Sequence, residues 1–164
     1  MSKGKRYLPL LNIKDVLHIL NKISIFGGFN EKQLNIVFKL LKKVSYKEGE
    51  RIFDEGSEPT HIYIVRSGEV KIVIDADNEP LEIFAFKPGN CFGETALIGI
   101  QPHSATAIAV VYTELIVLSG EDLLSISEQD KELFGLLLLN IAREACRRLH
   151  KTDEILLHYV HRKG

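Results

Sequence analysis

Cysteine is scarce in this 164-residue chain: there are two, Cys91 and Cys146. They lie far apart without the spacing of metal ligands, which sets aside a zinc ribbon and points to a reducing, cytoplasmic setting. Neither sign of charge is in excess. Lys and Arg number 21, Asp and Glu 22, for a net charge of −1, which leaves no general attraction to nucleic acid or to an anionic membrane. Long apolar runs are missing too. The nearest candidate, Leu133 to Leu139, is far too short to span a bilayer. The opening Met-Ser-Lys-Gly-Lys-Arg is basic but lacks the apolar core of a signal peptide. No Gly-x-Ser-x-Gly, no phosphate-binding P-loop and no paired catalytic carboxylates appear in a suitable context, so an enzyme is not expected. What remains is 45% hydrophobic and 26% charged. That composition fits one globular domain over residues 1–164, burying about two thirds of its unfolded surface.

The first part, 1–43, reads as helices. Ile13, Val16, Leu17 and Leu20 recur at helical spacing up to the Gly27-Gly28 breaker. Asn30 is a suitable N-cap for a second helix carrying Leu34, Val37, Phe38 and Leu41, with Lys42 and Lys43 in its last turn. From 44 to 119 short β-branched and aromatic runs alternate with Gly and Pro, the pattern of a sandwich or jelly-roll. Ser67-Gly68 reads as a hairpin turn between His61–Val65 and Val70–Ile74, and a polar turn precedes Leu81–Phe86. The fold class is therefore α+β: an eight-stranded antiparallel β-roll flanked by N-terminal helices and a long C-terminal helix. Residues 120–164 supply a hinge, a short helix over Asp122–Ser127 and a long helix from Asp130 to near Arg162, with Gly135 as a second weak point. Leu133–Leu139 should be buried on nearly every side. Leu138, Ile141, Ala145, Leu149, Thr152, Leu156 and Tyr159 step by three and four, as in a helix–helix seam. A homodimer through this helix, or a bend near Thr152-Asp153 that folds the tail back, would cover it.

The stretch Phe92 to Ala107 carries the chemistry. Gly93, Glu94, Thr95 and Ala96 open a short helical turn, and Ser104 and Thr106 follow. Such a turn can expose several backbone N–H groups around a small anion. The segment resembles the phosphate-binding cassette of the cyclic nucleotide-binding domain family. Phe92, Gly93, Glu94, Thr95, Ala96 and Leu97 match the first half of that pattern, and Ser104, Ala105 and Thr106 the second. Gly49-Glu50, Ile52-Phe53, Glu55-Gly56, Tyr63-Ile64-Val65, Ser67-Gly68 and Val70-Lys71 extend the resemblance over about residues 20 to 130. One position departs from it, because the family arginine is replaced by His103.

The resemblance implies a cyclic nucleotide ligand, cAMP ahead of cGMP, and no metal or other cofactor. It assigns Glu94 to a ribose hydroxyl; a capping acid for the Thr95–Ile98 turn is the other reading. Gly93 would allow close approach or simply serve a turn. Thr95, Ala96, Ser104 and Ala105 would offer N–H groups, while Thr106 would satisfy backbone. Val73 and Ile83 stand as candidate base walls or as plain core. His103 lacks arginine's fixed charge and fork, although a bound phosphate would raise its pKa above about 6.5. His150, Glu154, His158 and His161 form a solvated tail or, in a dimer, a zinc site. Cys91 reads as a buried structural thiol. Two functions stand: a sensor that reports nucleotide through its C-terminal helix, with a downstream protein as a further expected partner, and an interaction module with a silent pocket. A DNA-reading helix-turn-helix of the catabolite activator type is not seen, so nucleic acid and membrane are not expected partners.

Overall fold

The computed structural model describes residues 4–10, 12 and 14–161. Ile13 and Arg162 lie outside the described residues, as do the side chains of Tyr159 and His161. The described elements are β1 (Leu8–Pro9), α1 (Lys14–Leu20), a 3-10 turn (Ser24–Phe26), α2 (Glu31–Leu40), β2 (Lys42–Tyr46) and β3 (Arg51–Phe53). There follow β4 (His61–Ser67), β5 (Val70–Ile74), β6 (Leu81–Phe86), β7 (Cys91–Phe92), α3 (Glu94–Gly99), β8 (Thr106–Ala109), β9 (Thr113–Ser119), α4 (Gly120–Gln129) and α5 (Lys131–His161). Two antiparallel sheets, β1-β2-β9-β4-β7 and β3-β8-β5-β6, form the β-roll. The eight expected strands are β2 to β9. The ninth, β1, sits in the segment read as helical and pairs Leu8 with Lys43 and Pro9 with Lys42 at the sheet edge.

Strand alternation builds two cores at once. Along β4, Ile62 and Ile64 face the helices, while Tyr63 and Val65 face the other sheet; along β9, Ile116 and Leu118 do the first and Leu115 and Val117 the second. With both faces covered, these strands read as continuous apolar runs. Between the sheets, Ala105, Ala107 and Ala109 leave room for a stack of aromatics, with Phe92 against Tyr63 at 5.2 Å and against Phe86 at 5.4 Å. On the helical side, α2 begins with a reciprocal cap: Asn30 Oδ1 accepts from Gln33 N at 2.9 Å, and Gln33 Oε1 accepts from Asn30 N at 3.0 Å.

Several local expectations change. Lys42 and Lys43 are not in the last turn of α2 but in β2, where pairing with Val117 and Ile116 of β9 outcompetes helix extension. Ser67-Gly68 is no hairpin, because β4 and β5 belong to different sheets. Gly68 turns the chain from one to the other at φ 88°, with a Cβ there falling 2.5 Å from Thr113 Oγ1. Leu17 faces solvent, and Ile19 takes its place with Val16 in the core.

The hinge region is the helix α4, capped by Ser119 Oγ accepting from Asp122 N at 3.1 Å. Asp130 ends it, and Asp130 Oδ1 accepts from Leu133 N at 2.9 Å to start α5. At about 1.5 Å per residue the 31 residues of α5 extend about 46 Å. It runs unbroken through Gly135 and Thr152, so no bend returns the tail to the body. Its anchored face is Leu133, Leu137 and Ile141, each burial contributing about 1.5–3 kcal/mol. Asn140 Nδ2 adds bonds to the carbonyls of Ile25 (3.2 Å) and Gly27 (2.8 Å), tying α5 to the 3-10 turn. Leu139, expected inside, is exposed, and so are Leu149 and Leu156 of the expected seam. The intramolecular stripe instead passes from Ile141 through Glu144 to Arg148, three and seven residues on.

Candidate ligand-binding site

The cassette is held by its backbone. Gly93 follows β7 at φ 81°, and a Cβ there would sit 2.9 Å from Tyr63 Cδ2 and 3.1 Å from the His61 carbonyl oxygen. Both the dihedral and the space require glycine. Without a side chain, Gly93 gives α3 no side-chain cap, so the first N–H groups of that short helix remain open. The loop after α3 is pinned by His103 N donating to the Ser57 carbonyl at 2.9 Å and Gly56 N donating to the His103 carbonyl at 2.8 Å. Thr106 Oγ1 accepts from Glu55 N at 3.1 Å, so it serves the backbone of the neighbouring strand's turn, as expected.

Between cassette and sheets lies a cavity of about 140 Å³, walled by Phe53, Ile72, Ile83, Phe84, Phe86 and Phe92. Gly93, Thr95, Ala96, His103, Ser104 and Ala105 complete the cassette side, and Arg148 of α5 closes it. His103 is 5% exposed and lies flat on Phe53, ring centroids 3.6 Å apart and planes 5° from parallel. Burial pulls its pKa below the ordinary histidine value, so the ring is neutral near pH 7.

Glu94, the first residue of α3, is 0% exposed. Its carboxylate is met at Oε1 by Arg148 Nη2, its sole contact among the described residues; neither Glu94 Oε1 nor Oε2, nor Arg148 Nη2, makes a hydrogen bond, and Oε2 is not in the contact. The capping reading therefore gives way in part: the charge still suits the helix N-terminus, but the carboxylate is engaged by Arg148 of α5. Arg148 has its Cζ 5.6 Å from the Phe86 ring centroid, in cation–π reach. Burial pulls its pKa down as well, though an arginine stays charged throughout the physiological range. The elements thus converge on one cleft with an aromatic wall, lined among the described residues by one fixed cation and a neutral imidazole and backed by a buried carboxylate.

A profile of the cyclic nucleotide-binding domain matches residues 43–130. The chain belongs to the cyclic nucleotide-binding domain family. It is 29% identical over 125 residues to the cGMP-dependent protein kinase egl-4 of Caenorhabditis elegans, covering 75% of this chain and 15% of the kinase. It is 28% identical over 130 residues to the cyclic AMP receptor protein of Thermus thermophilus, covering 79% of this chain and 58% of that protein. It therefore spans less than two thirds of either relative. A solved cyclic nucleotide-binding domain from Methylobacillus flagellatus superposes with a TM-score of 0.80 at 21% identity, over 94% of this chain and 87% of that one. That likeness concerns the fold.

In this cyclic nucleotide-binding domain, six of the seven residues singled out from the sequence line the cavity: Gly93, Thr95, Ala96, His103, Ser104 and Ala105. The seventh, Glu94, lies behind them, held by Arg148. Ile83 lines the cavity as expected, but Val73 does not; it is buried core, and Ile72 one residue earlier has the wall position. Neighbours on a strand face opposite sides, and the β5–β6 register shifts between these two residues. Cys91 is buried, and burial pushes its thiol up to about 11, far from nucleophilic. His150 Nε2 and Glu154 Oε1 meet at 3.5 Å, and among the described residues no three metal-type side chains converge. Nor is any helix there long and apolar enough to cross a membrane.

Sequence reasoning missed Arg148 and most of the aromatic wall. A signal for Arg148 existed, since it lies seven residues after Ile141 on the anchored stripe of α5. Phe84 and Phe86 carried none beyond ordinary strand composition, whereas Phe92 already stood in the cassette match.

Proposed function

We propose that this cyclic nucleotide-binding domain is a regulatory module that takes a cyclic nucleotide between its cassette and α5 and transmits occupancy through α5. The observation that carries the reading is the Glu94–Arg148 pair, in which the cassette acid behind the cavity meets the residue of the C-terminal helix that lines it. Glu94 Oε2, buried and without a donor, suits a ribose hydroxyl. Gly93, Thr95, Ala96, His103, Ser104 and Ala105 would face the phosphate. The wall that would hold a base is apolar, which favours adenine over the more polar guanine, and hence cAMP over cGMP. At about 140 Å³ the cavity is smaller than the ~300–1,000 Å³ of ordinary ligand sites. Entry of a nucleotide must therefore displace part of the wall, and Arg148 is the part carried by α5. Ligand energy can bias α5 only through such a difference between its two placements.

The reading is of a binding module and not a catalyst, working inside the cell without nucleic acid or membrane as partner. A second copy packed on the exposed Leu149 and Leu156 of α5, and a downstream protein, are the partners proposed with it. Calorimetric titration of cAMP and cGMP near pH 5.5 and near pH 7.5 tests the module, with wild type beside His103→Arg. Wild type should bind cAMP, and His103→Arg should tighten it about tenfold or more by adding a charged donor. Binding that strengthens at lower pH assigns an imidazolium contact to His103. No heat from either protein ends the sensor reading and leaves an interaction module with a silent pocket.

A further inference from the structure

A cyclic nucleotide is an anion, and behind the cleft lining, between Gly93 and Thr95, stands one negative charge that is fully buried, Glu94. Bringing a phosphodiester beside that carboxylate out of water is unfavourable unless a cation lies between them, since like charges repel strongly at low dielectric. His103 does not supply it: the ring is buried, neutral near pH 7 and stacked on Phe53. Thr95 and Ser104 offer neutral donors only, and no lysine among the described residues lines the cleft. Among the described residues, Arg148 is the single lining side chain with a fixed positive charge. Its guanidinium is placed between the carboxylate of Glu94 and the ring of Phe86. It has five N–H donors in a planar fork, more than one carboxylate engages.

Resting on the function proposed above, we infer that Arg148 is the residue that pairs with the ligand's phosphodiester, so that the charge absent from the cassette is delivered by the C-terminal helix. Part of the guanidinium fork turns to the phosphate while Glu94 accepts from the ribose hydroxyl at its unpartnered Oε2. Affinity then depends on α5 being docked. The alternative role for the same residue, a plug that competes with the ligand for Glu94, predicts the opposite sign: its removal would tighten binding.

Calorimetry with cAMP, and with uncharged adenosine as the control, separates the two on the full chain. For Arg148→Gln, cAMP affinity should fall about 10- to 100-fold, the loss of a charged hydrogen bond to an anion, while adenosine affinity stays within about twofold. Adding His103→Arg to Arg148→Gln should restore cAMP binding, since it returns a guanidinium to the cassette side. Unchanged or tighter cAMP binding by Arg148→Gln overturns the inference. So does an equal loss for cAMP and adenosine. If circular dichroism shows that Arg148→Gln is unfolded, Arg148→Lys keeps the charge without the fork. A loss of cAMP affinity confined to the charged ligand supports the inference there, and wild-type affinity overturns it. Wild-type protein that binds neither cAMP nor cGMP defeats the proposed function itself. Wild type that binds while Arg148→Gln is unaffected defeats this inference alone.

Discussion

Removing one member of the Glu94–Arg148 pair should cost far more than removing the other. Glu94 is 0% exposed and has Arg148 as its sole partner among the described residues, whereas the Arg148 side chain keeps 20% of its surface in contact with solvent. Arg148→Gln therefore strands a buried carboxylate, which costs about 3–5 kcal/mol. Glu94→Gln leaves an arginine that can lean on Phe86 and reach water with its fork, so about 1–2 kcal/mol is lost. For a chain of this length one kcal/mol moves the melting temperature by about 2–4 °C, so Arg148→Gln should lower it by about 6–20 °C and Glu94→Gln by about 2–8 °C. The double variant should recover most of the larger loss, because two neutral amides in contact carry no stranded charge. Thermal and urea unfolding of the four proteins, without nucleotide, closes the cycle. The reasoning is refuted if Arg148→Gln costs no more than Glu94→Gln, or if the two losses simply add in the double variant.

The histidines set a pH trend whose sign follows from their directions. His103 is pulled below its ordinary pKa by burial, and His61 by burial and then by nearby Lys42. The unfolded chain thus binds these protons first, and stability is full above about pH 6.5 and falls as pH drops toward the folded values. Urea midpoints measured from about pH 8 to about pH 5 should show this fall, and His103→Phe, which keeps the stack on Phe53, should flatten it. An unchanged slope in that variant would remove His103 from the account. Asn140→Leu should cost about 2–4 kcal/mol by leaving the Ile25 and Gly27 carbonyls without their donor, and should raise hydrogen exchange in the 3-10 turn more than in β4 or β9.

Much of this architecture was legible because it is carried by short-range signals. The Asn30 cap, the glycine-punctuated strands and the Phe92–Ala107 segment each act over a few residues, and each appears where the pattern placed it. The misreadings share a cause as well. Lys42 and Lys43 left their helix because β9, some seventy residues on, offered a partner; Ser67-Gly68 looked like a hairpin because local turn chemistry does not say which sheet the next strand joins. Val73 took the core place that was its other reading, and the wall position went to Ile72, which the sequence had not singled out, by a register shift that only β6 reveals. Non-local pairing decided all three, and propensity within a window cannot see it.

Arg148 is the case with the largest functional consequence. In the sequence it stands beside Arg147 with no role assigned to it. In the fold, Leu133, Leu137 and Ile141 fix the rotation of α5, and that rotation turns Arg148 inward while Arg147 stays outside with Glu144. A buried arginine is tolerated only where a carboxylate awaits it, and the carboxylate here belongs to the cassette. The packing of the first half of α5 and the electrostatics of the pocket are consequently one constraint. A substitution such as Leu137→Ala, expected to cost about 2–5 kcal/mol by the cavity it leaves, should do more than destabilise. By loosening the rotation of α5 it should release Arg148, and the energetic coupling between Glu94→Gln and Arg148→Gln should shrink in that background. Coupling undiminished by Leu137→Ala would mean that Arg148 finds Glu94 by its own reach and not because the helix is held.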